Sequence, residues 1–217
     1  RMFSKEDLLD PKNFEIGTFK EIGFERKKCV KCGKNFWTCD SERETCGDTT
    51  CDVYNFIGNP LISKKYTMEQ MREKYLLWFQ KNGHQIIGRY PTVCRWKADT
   101  MFTGASIYCF QPWVLNRTIE PPANPLTISQ PSIRFGDLDN VGLGTGRHAI
   151  EFEMLAHHAF NYPEKKVYWK DKTVELCYRW HTEALGIKPE KICFIENLWQ
   201  GGGNAGPCFE VILDGNE

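Results

Sequence analysis

The chain has 217 residues, 41 % of them hydrophobic and 13 % aromatic, enough to bury one large core or one core with a small appendage. Lysine plus arginine equals aspartate plus glutamate at 28 each, so the net charge points to no nucleic-acid partner. No uncharged apolar run approaches the length of a bilayer span and no signal-peptide pattern opens the sequence, which therefore reads as a soluble, cytoplasmic protein.

Residues 1–28 are charged and weakly periodic, with one short helix predicted over 12–22. Arg26, Lys27, Lys28, Lys31 and Lys34 follow one another without an intervening acid. Such a run is most often a solvated surface, and otherwise a phosphate-contacting patch. It overlaps Cys29, Cys32, Cys46 and Cys51, spaced C-x2-C-x13-C-x4-C in a module over about 28–60. Two close pairs separated by such a span supply two thiolates from each of two turns, the pattern of a zinc ribbon. Gly33 and Gly47 stand where those turns need backbone freedom. Zinc is the leading reading, ahead of plain thiols or a disulfide. With all four positions filled by sulfur, the metal would be structural. The other cysteines, Cys39, Cys94, Cys109, Cys177, Cys193 and Cys208, are scattered singly and read as reduced core thiols.

A helix follows. Thr67 with Gln70 is a capping box, Met68, Met71, Tyr75, Trp78 and Phe79 mark one face, and Gly83 ends it. Residues 84–90 read as a strand, and the proline-interrupted stretch 91–131 as irregular loops between short strands. Two strand-like pieces then flank a glycine-rich loop over 132–154, each with an arginine, Arg134 and Arg147. The returning piece alternates, His148, Ile150, Phe152 and Met154 against Arg147, Ala149, Glu151 and Glu153. Guanidinium forks suit phosphate oxygens and an aromatic suits a base, so this hairpin is a candidate nucleoside-triphosphate site. Beyond an apolar piece at 154–160, a helix is predicted over 171–185 with Asp171 as its cap and Gly186 behind it. Strands are predicted over 191–198 and 208–213, with a loop at 199–207 between them. The whole reads as an α+β fold on an antiparallel sheet.

Several patterns are weaker than they look. The glycines at 142–146 neither follow a strand nor open a helix, and no Lys-Ser/Thr pair accompanies them, so they form no dinucleotide or phosphate loop. His157 and His158 sit on an apolar background without a third ligand at metal spacing and read as packed. Asp137 and Asp139 are turn formers. Trp199 beside three glycines reads equally as a packed indole or as the wall of a tight pocket. No nucleophile with an activating base stands out.

Arg134-Phe-Gly-Asp-Leu-Asp-Asn-Val-Gly142 and Arg147-His-Ala-Ile-Glu-Phe-Glu-Met154 together resemble the second signature motif of class II aminoacyl-tRNA synthetases in its alanyl form. The capped helix running into Gly83-His-Gln85, then Phe110-Gln-Pro112, resembles the first motif region. Asn197-Leu-Trp-Gln200 with Asn204-Ala-Gly-Pro-Cys-Phe-Glu210 resembles the alanine-pocket loop, and the four-cysteine module is similar to one in archaeal members. The resemblance implies a class II antiparallel sheet flanked by helices in a partial aminoacylation domain over 65–217. It would be preceded by a small cysteine-module appendage over 1–64.

On these positions the resemblance implies that Arg134 holds the α-phosphate of ATP and the alanine carboxylate, and that Arg147 grips the β- and γ-phosphates. Phe152 would stack on adenine and Met154 would line the same pocket. Asp137 and His148 would make further ATP contacts, Trp199 would wall the methyl pocket of alanine, and Glu210 would help place Mg2+. The implied partners are ATP, L-alanine and tRNA(Ala), with structural Zn2+ and no membrane. The third motif, a glycine-rich strand and helix ending in Glu-Arg, has no match here, because the sequence has no arginine after Arg179. The chain is thus expected to be the N-terminal part of a catalytic domain, weakly active or inactive alone, with any dimerising region further on. Two other readings stay open: a non-catalytic tRNA-binding zinc module, and a synthetase-like paralogue activating another small amino acid.

Overall fold

The computed structural model describes residues 4–53, 58–136, 138–143 and 148–214. In chain order its regular elements are helices α1 (Lys5–Leu8) and α2 (Gly17–Glu21), strands β1 (Glu25–Lys28) and β2 (Asn35–Thr38), and helix α3 (Met68–Lys81). Strands β3 (Gln85–Ile86), β4 (Leu126–Ile133) and β5 (Glu151–His158) follow, then helix α4 (Lys170–Arg179) and strands β6 (Ile192–Gly201) and β7 (Asn204–Leu213). They fall into two compact units, Arg1–Lys65 with Tyr168–Glu217, and Tyr66–Val167. The predicted α+β architecture with antiparallel sheets is present, with one short parallel pairing.

In the first unit four antiparallel strands run in the order β1-β2-β6-β7. The sequence reading divides the chain once, near residue 65; in space, residues 168–217 share a unit with the cysteine module. The physical reason is the pairing of β2 with β6, Phe36 opposite Ile195 and Trp37 opposite Phe194. One face of this sheet buries Trp37, Phe194 and Ile192 against Ile16, Phe19, Phe24, Val174 and Ile187. Phe19 stacks on Trp37 with ring centroids 4.5 Å apart. Glu196 closes the edge of that core by accepting from Arg26 Nε at 2.7 Å, Arg26 Nη2 at 2.6 Å and Trp37 Nε1 at 2.9 Å.

Some predicted boundaries move. The helix expected over 12–22 is a 3-10 turn at Pro11–Asn13 followed by α2, with Phe14 and Ile16 buried between them. Asp171 is not the cap of α4. That helix starts one residue earlier with Trp169 at the cap position, and the Asp171 carboxylate instead accepts from Thr18 N at 3.2 Å, in the first turn of α2. Helix α4 runs on into a π-helical turn, Trp180–Ala184, and ends at Gly186 with φ +73°, as its sequence predicts.

In the second unit α3 carries the predicted capping box. Gln70 N donates to Thr67 Oγ1 at 3.2 Å, and Thr67 N to Gln70 Oε1 at 3.0 Å. Gly83, at φ +89°, ends α3 with paired closing bonds, Gly83 N to Gln80 O and His84 N to Phe79 O, both 3.0 Å. Tyr75 and Phe79 are buried on the expected face, whereas Met68 lies one turn beyond the packed region and is 60 % exposed.

The strand expected over 84–90 shrinks to Gln85–Ile86, in parallel with β4 at Leu126 and Thr127. Beyond it the Gln130 side chain substitutes for a strand, accepting from Tyr90 N and donating to Tyr90 O, each at 2.9 Å. Strand β4 begins six residues before the predicted hairpin and tolerates Pro131, because β3 pairs only at its far end and leaves that edge open. The predicted apolar piece at 154–160 is largely β5, paired antiparallel along all of β4.

Candidate active site and metal centre

Strands β4 and β5 deliver the hairpin residues. Ser132 pairs with Phe152, Gln130 with Met154, and Arg134 N donates to Ile150 O at 2.8 Å just past the ladder. Arg134 is exposed. Its Nε donates to Gly104 O at 2.7 Å, and its guanidinium lies over the Phe152 ring, 5.1 Å from the centroid. Among the described residues neither terminal amine of Arg134 has a hydrogen-bond partner, so both remain available to an anion. Met154 sits one step along the same strand face, its sulfur 3.3 Å from Ser106 N. His148 is exposed and precedes β5 rather than belonging to it. Arg147 and Asp137 lie outside the described residues.

Sequence reasoning missed the polar set behind this hairpin. Glu153 accepts from Arg72 Nε at 2.6 Å, Ser129 Oγ at 2.8 Å and Arg89 Nη2 at 3.0 Å, with a second bond from Arg72 Nη2. The Arg72 hydrogen bonds, with those of Ser129 and the charge of Arg89, hold the Glu153 carboxyl down to about 2. Its alternation with Phe152 was the available signal, but no local pattern names partners 81 and 64 residues away. The paired histidines are packed, as expected. His157 stacks on Phe79 at 4.2 Å and meets Tyr75 Oη at 3.2 Å through Nδ1, and His158 Nε2 lies 3.0 Å from Ser106 Oγ. Burial pushes His157 down to about 3 and His158 to about 4, so both are neutral near pH 7.

In the other unit, the region expected as a loop at 199–207 is the closed end of a β-hairpin. Gly201 pairs with Asn204, and Gly202 and Gly203 form a two-residue turn with φ +57° and +85°. Positive φ at both central residues matches the twist of the flanking strands, which is why two glycines stand there. Trp199 is opposite Gly206 and 41 % exposed. Its indole lies over Gly201, where an added Cβ would come within 2.9 Å of Cζ2. Glu210 is opposite Ile195, accepts from Asn197 Nδ2, and lies 3.8 Å from Lys34 Nζ.

The four predicted ligand cysteines converge. The sulfurs of Cys29, Cys32, Cys46 and Cys51 all lie within 4.8 Å of one another, Cys32 and Cys46 at 3.8 Å, and only Cys32 is exposed. A Zn–S bond of about 2.3 Å in a tetrahedron places sulfurs about 3.8 Å apart, so the cage fits zinc with little adjustment. Gly33 and Gly47 have φ +74° and +85°, as the turns require. Burial acts against ionisation of Cys29, yet N–H donors from Cys32, Cys46 and Lys31 outweigh it and draw that thiol down to about 6; burial pushes Cys46 up. The other six cysteines are free thiols, as expected.

Most of the basic run lies at the surface, yet its head groups are engaged within the chain. Arg26 pairs with Glu196, and Lys27 Nζ donates to the carbonyls of Asp40, Ser41 and Arg43. Lys31 Nζ donates to Cys51 O, and Lys34 lies between Asp48 and Glu210. Four of the five cations thus brace the module, which weakens the case for a phosphate-contacting patch. Among the described residues, no helix is long and apolar enough to cross a membrane.

The hairpin thus presents an uncommitted guanidinium beside an aromatic ring within an α+β fold. The family model for tRNA synthetases class II (A) matches residues 70–217, and the chain belongs to that family. It is 60 % identical over 202 residues to the alanine–tRNA ligase of Thermococcus kodakarensis, covering 92 % of this chain and 22 % of that protein. It is 55 % identical over 209 residues to the alanine–tRNA ligase of Archaeoglobus fulgidus (96 % and 23 %) and 52 % over 204 residues to that of Methanosarcina acetivorans (94 % and 22 %). The chain therefore spans less than a quarter of the length of these relatives.

Proposed function

We propose that this chain forms part of an alanine–tRNA ligase, binding ATP and L-alanine for formation of alanyl-adenylate and transfer of alanine to tRNA(Ala). The observation that carries the reading is Arg134, held through Nε on Gly104 O and over Phe152 with both terminal amines open. An oxygen of the alanine carboxylate attacks the α-phosphorus of ATP, the bond to the β-phosphate oxygen breaks, and pyrophosphate leaves. No enzyme nucleophile is needed, which agrees with the lack of one in the sequence. Arg134 bridges carboxylate and α-phosphate and so opposes the charge that builds between them. Arg147 serves the β- and γ-phosphates, and His148 and Asp137 make further ATP contacts. Adenine takes the Phe152 ring face, lined by Met154, and Arg134 moves off that face toward the phosphates.

Trp199 limits the side-chain pocket to a methyl group. Magnesium, which class II synthetases use with ATP, would neutralise phosphate charge; Glu210, already shared with Asn197 and Lys34, is the weakest of the assigned residues. Zinc in the four-cysteine cage would be structural. Alanine-dependent exchange of pyrophosphate into ATP by the gene product that carries this chain tests the reading. Glycine and serine serve as competitors, and loss of exchange on Arg134→Ala is expected. Equal or better exchange with glycine or serine would favour a paralogue instead.

A further inference from the structure

The metal cage and the tryptophan hairpin share one strand face. Cys193, Ile195, Asn197 and Trp199 alternate along one side of β6, with Ile212, Glu210, Cys208 and Gly206 opposite on β7. At one end of that face Cys29, Cys46 and Cys51 are buried in a single apolar cluster with Phe36, Cys193, Ile195 and Ile212. At the other end stands Trp199. Strand β2 leaves the first cysteine turn at Asn35 and pairs directly with β6, so that turn cannot shift without moving the strand.

Lys34 links the same parts a second time. Its carbonyl accepts from Cys29 N at 2.9 Å, closing the first turn. Its ammonium lies 3.9 Å from Asp48 Oδ2 and 3.8 Å from Glu210 Oε2. Asp48 O accepts from Cys51 N at 2.7 Å, closing the second turn, and Glu210 accepts from Asn197, two residues before Trp199. Ion pairs this exposed are individually weak, so the buried cluster carries most of the coupling and Lys34, by orienting Glu210, adds a second and smaller link between the cage and residues 197–210.

We propose that the four-cysteine centre holds the amino-acid-binding face of the β6–β7 hairpin in place, so that metal occupancy and recognition of the amino acid are coupled. The proposal rests on the reading of Trp199 as part of the amino-acid site and of the cysteines as a zinc cage. Without the metal the four sulfurs lose their cross-link, and the cluster beneath Ile195 and Ile212 loosens. The hairpin face follows, because its side chains are successive residues of one ribbon.

The test is amide hydrogen exchange of the 217-residue chain, zinc-loaded and zinc-stripped under reducing conditions, with metal content measured first. Removal of zinc should speed exchange by about tenfold or more in β2, β6 and β7, while α3 and β4 keep their protection. In the zinc-loaded chain Lys34→Met should keep its metal yet speed exchange at 197–210 alone, and Lys34→Arg should restore it. Faster exchange confined to residues 29–51 on stripping would overturn the proposal. If stripping melts α3 and β4 too, the Lys34 pair decides: an unchanged hairpin in Lys34→Met would overturn it. A chain that takes up no zinc defeats the cage reading itself, which the metal measurement shows before exchange is followed.

Discussion

In the proposed reaction Arg134 opposes charge on two groups, and only a forked side chain leaves the atoms for it. With Nε on Gly104 O, two amines still point outward; a lysine would have one nitrogen for all three tasks. Arg134→Lys should therefore lower the alanine-dependent exchange rate by about 10²-fold or more, the scale of removing one charge-stabilising donor set. Loss of less than a few-fold would remove Arg134 from the chemistry. That Arg134 and Phe152 share one hairpin was readable from sequence, because their neighbours alternate around a glycine-rich loop. Gly104 was not, since it acts through a carbonyl that every residue possesses. Gly201 is a comparable case: three glycines suggest flexibility, but the structure gives this one a steric duty beneath Trp199. Gly201→Ala should displace the indole, shift tryptophan emission, and weaken alanine binding with little change for ATP. Unchanged emission with unchanged alanine affinity would show that the indole does not rest there in solution.

Elements whose signals are local were predicted well, and those set by distant partners were not. Helix α3 has its start and stop written in neighbouring residues, and the structure reproduces Thr67, Gln70 and Gly83 in those roles. Thr67→Ala should cost about 1 kcal/mol of stability by removing the acceptor for Gln70 N, read as a lower denaturation midpoint at unchanged slope. An unchanged midpoint would show that water replaces the cap fully. Asp171 shows the limit of the same rule: it is a good capping residue, but it caps a helix 153 positions away. Strand β4 shows another, since Pro131 reads as a break and is tolerated only because a neighbouring strand is too short to reach it. The hairpin end at 201–204 looked like a loop because its four residues have little side-chain patterning, while its pairing is set by backbone twist.

At the scale of the molecule, the metal-binding cysteines and the two most strongly shifted histidines lie in different units, although His181 in the cysteine unit is also lowered by burial. Four cysteines lie in the unit of Arg1–Lys65 and Tyr168–Glu217, and His157, His158 and Glu153 in that of Tyr66–Val167. The two histidines titrate at 6.5 when unfolded and at about 3 and 4 when buried, so the unfolded chain takes up protons first. Their contribution is whole above pH 6.5 and declines as pH falls below it, by on the order of 1 kcal/mol per pH unit for each histidine. Glu153 adds a second, lower window: its folded pKa is depressed from 4.5 to about 2, so its contribution holds above 4.5 and is lost toward 2. Acid should thus loosen α3, β4 and β5 first, whereas zinc removal should loosen the strands around the cysteine cage. Hydrogen exchange at pH 5, compared with pH 7 after correction for the intrinsic rate, should show faster opening in residues 68–81 and 126–158. His157→Phe, which keeps a ring against Phe79, should flatten that pH dependence by about half, because one of two protonation sites is gone. If His157→Phe leaves the pH dependence of opening between 6.5 and 4.5 as steep as before, the buried neutral histidine is not what makes this unit acid-sensitive.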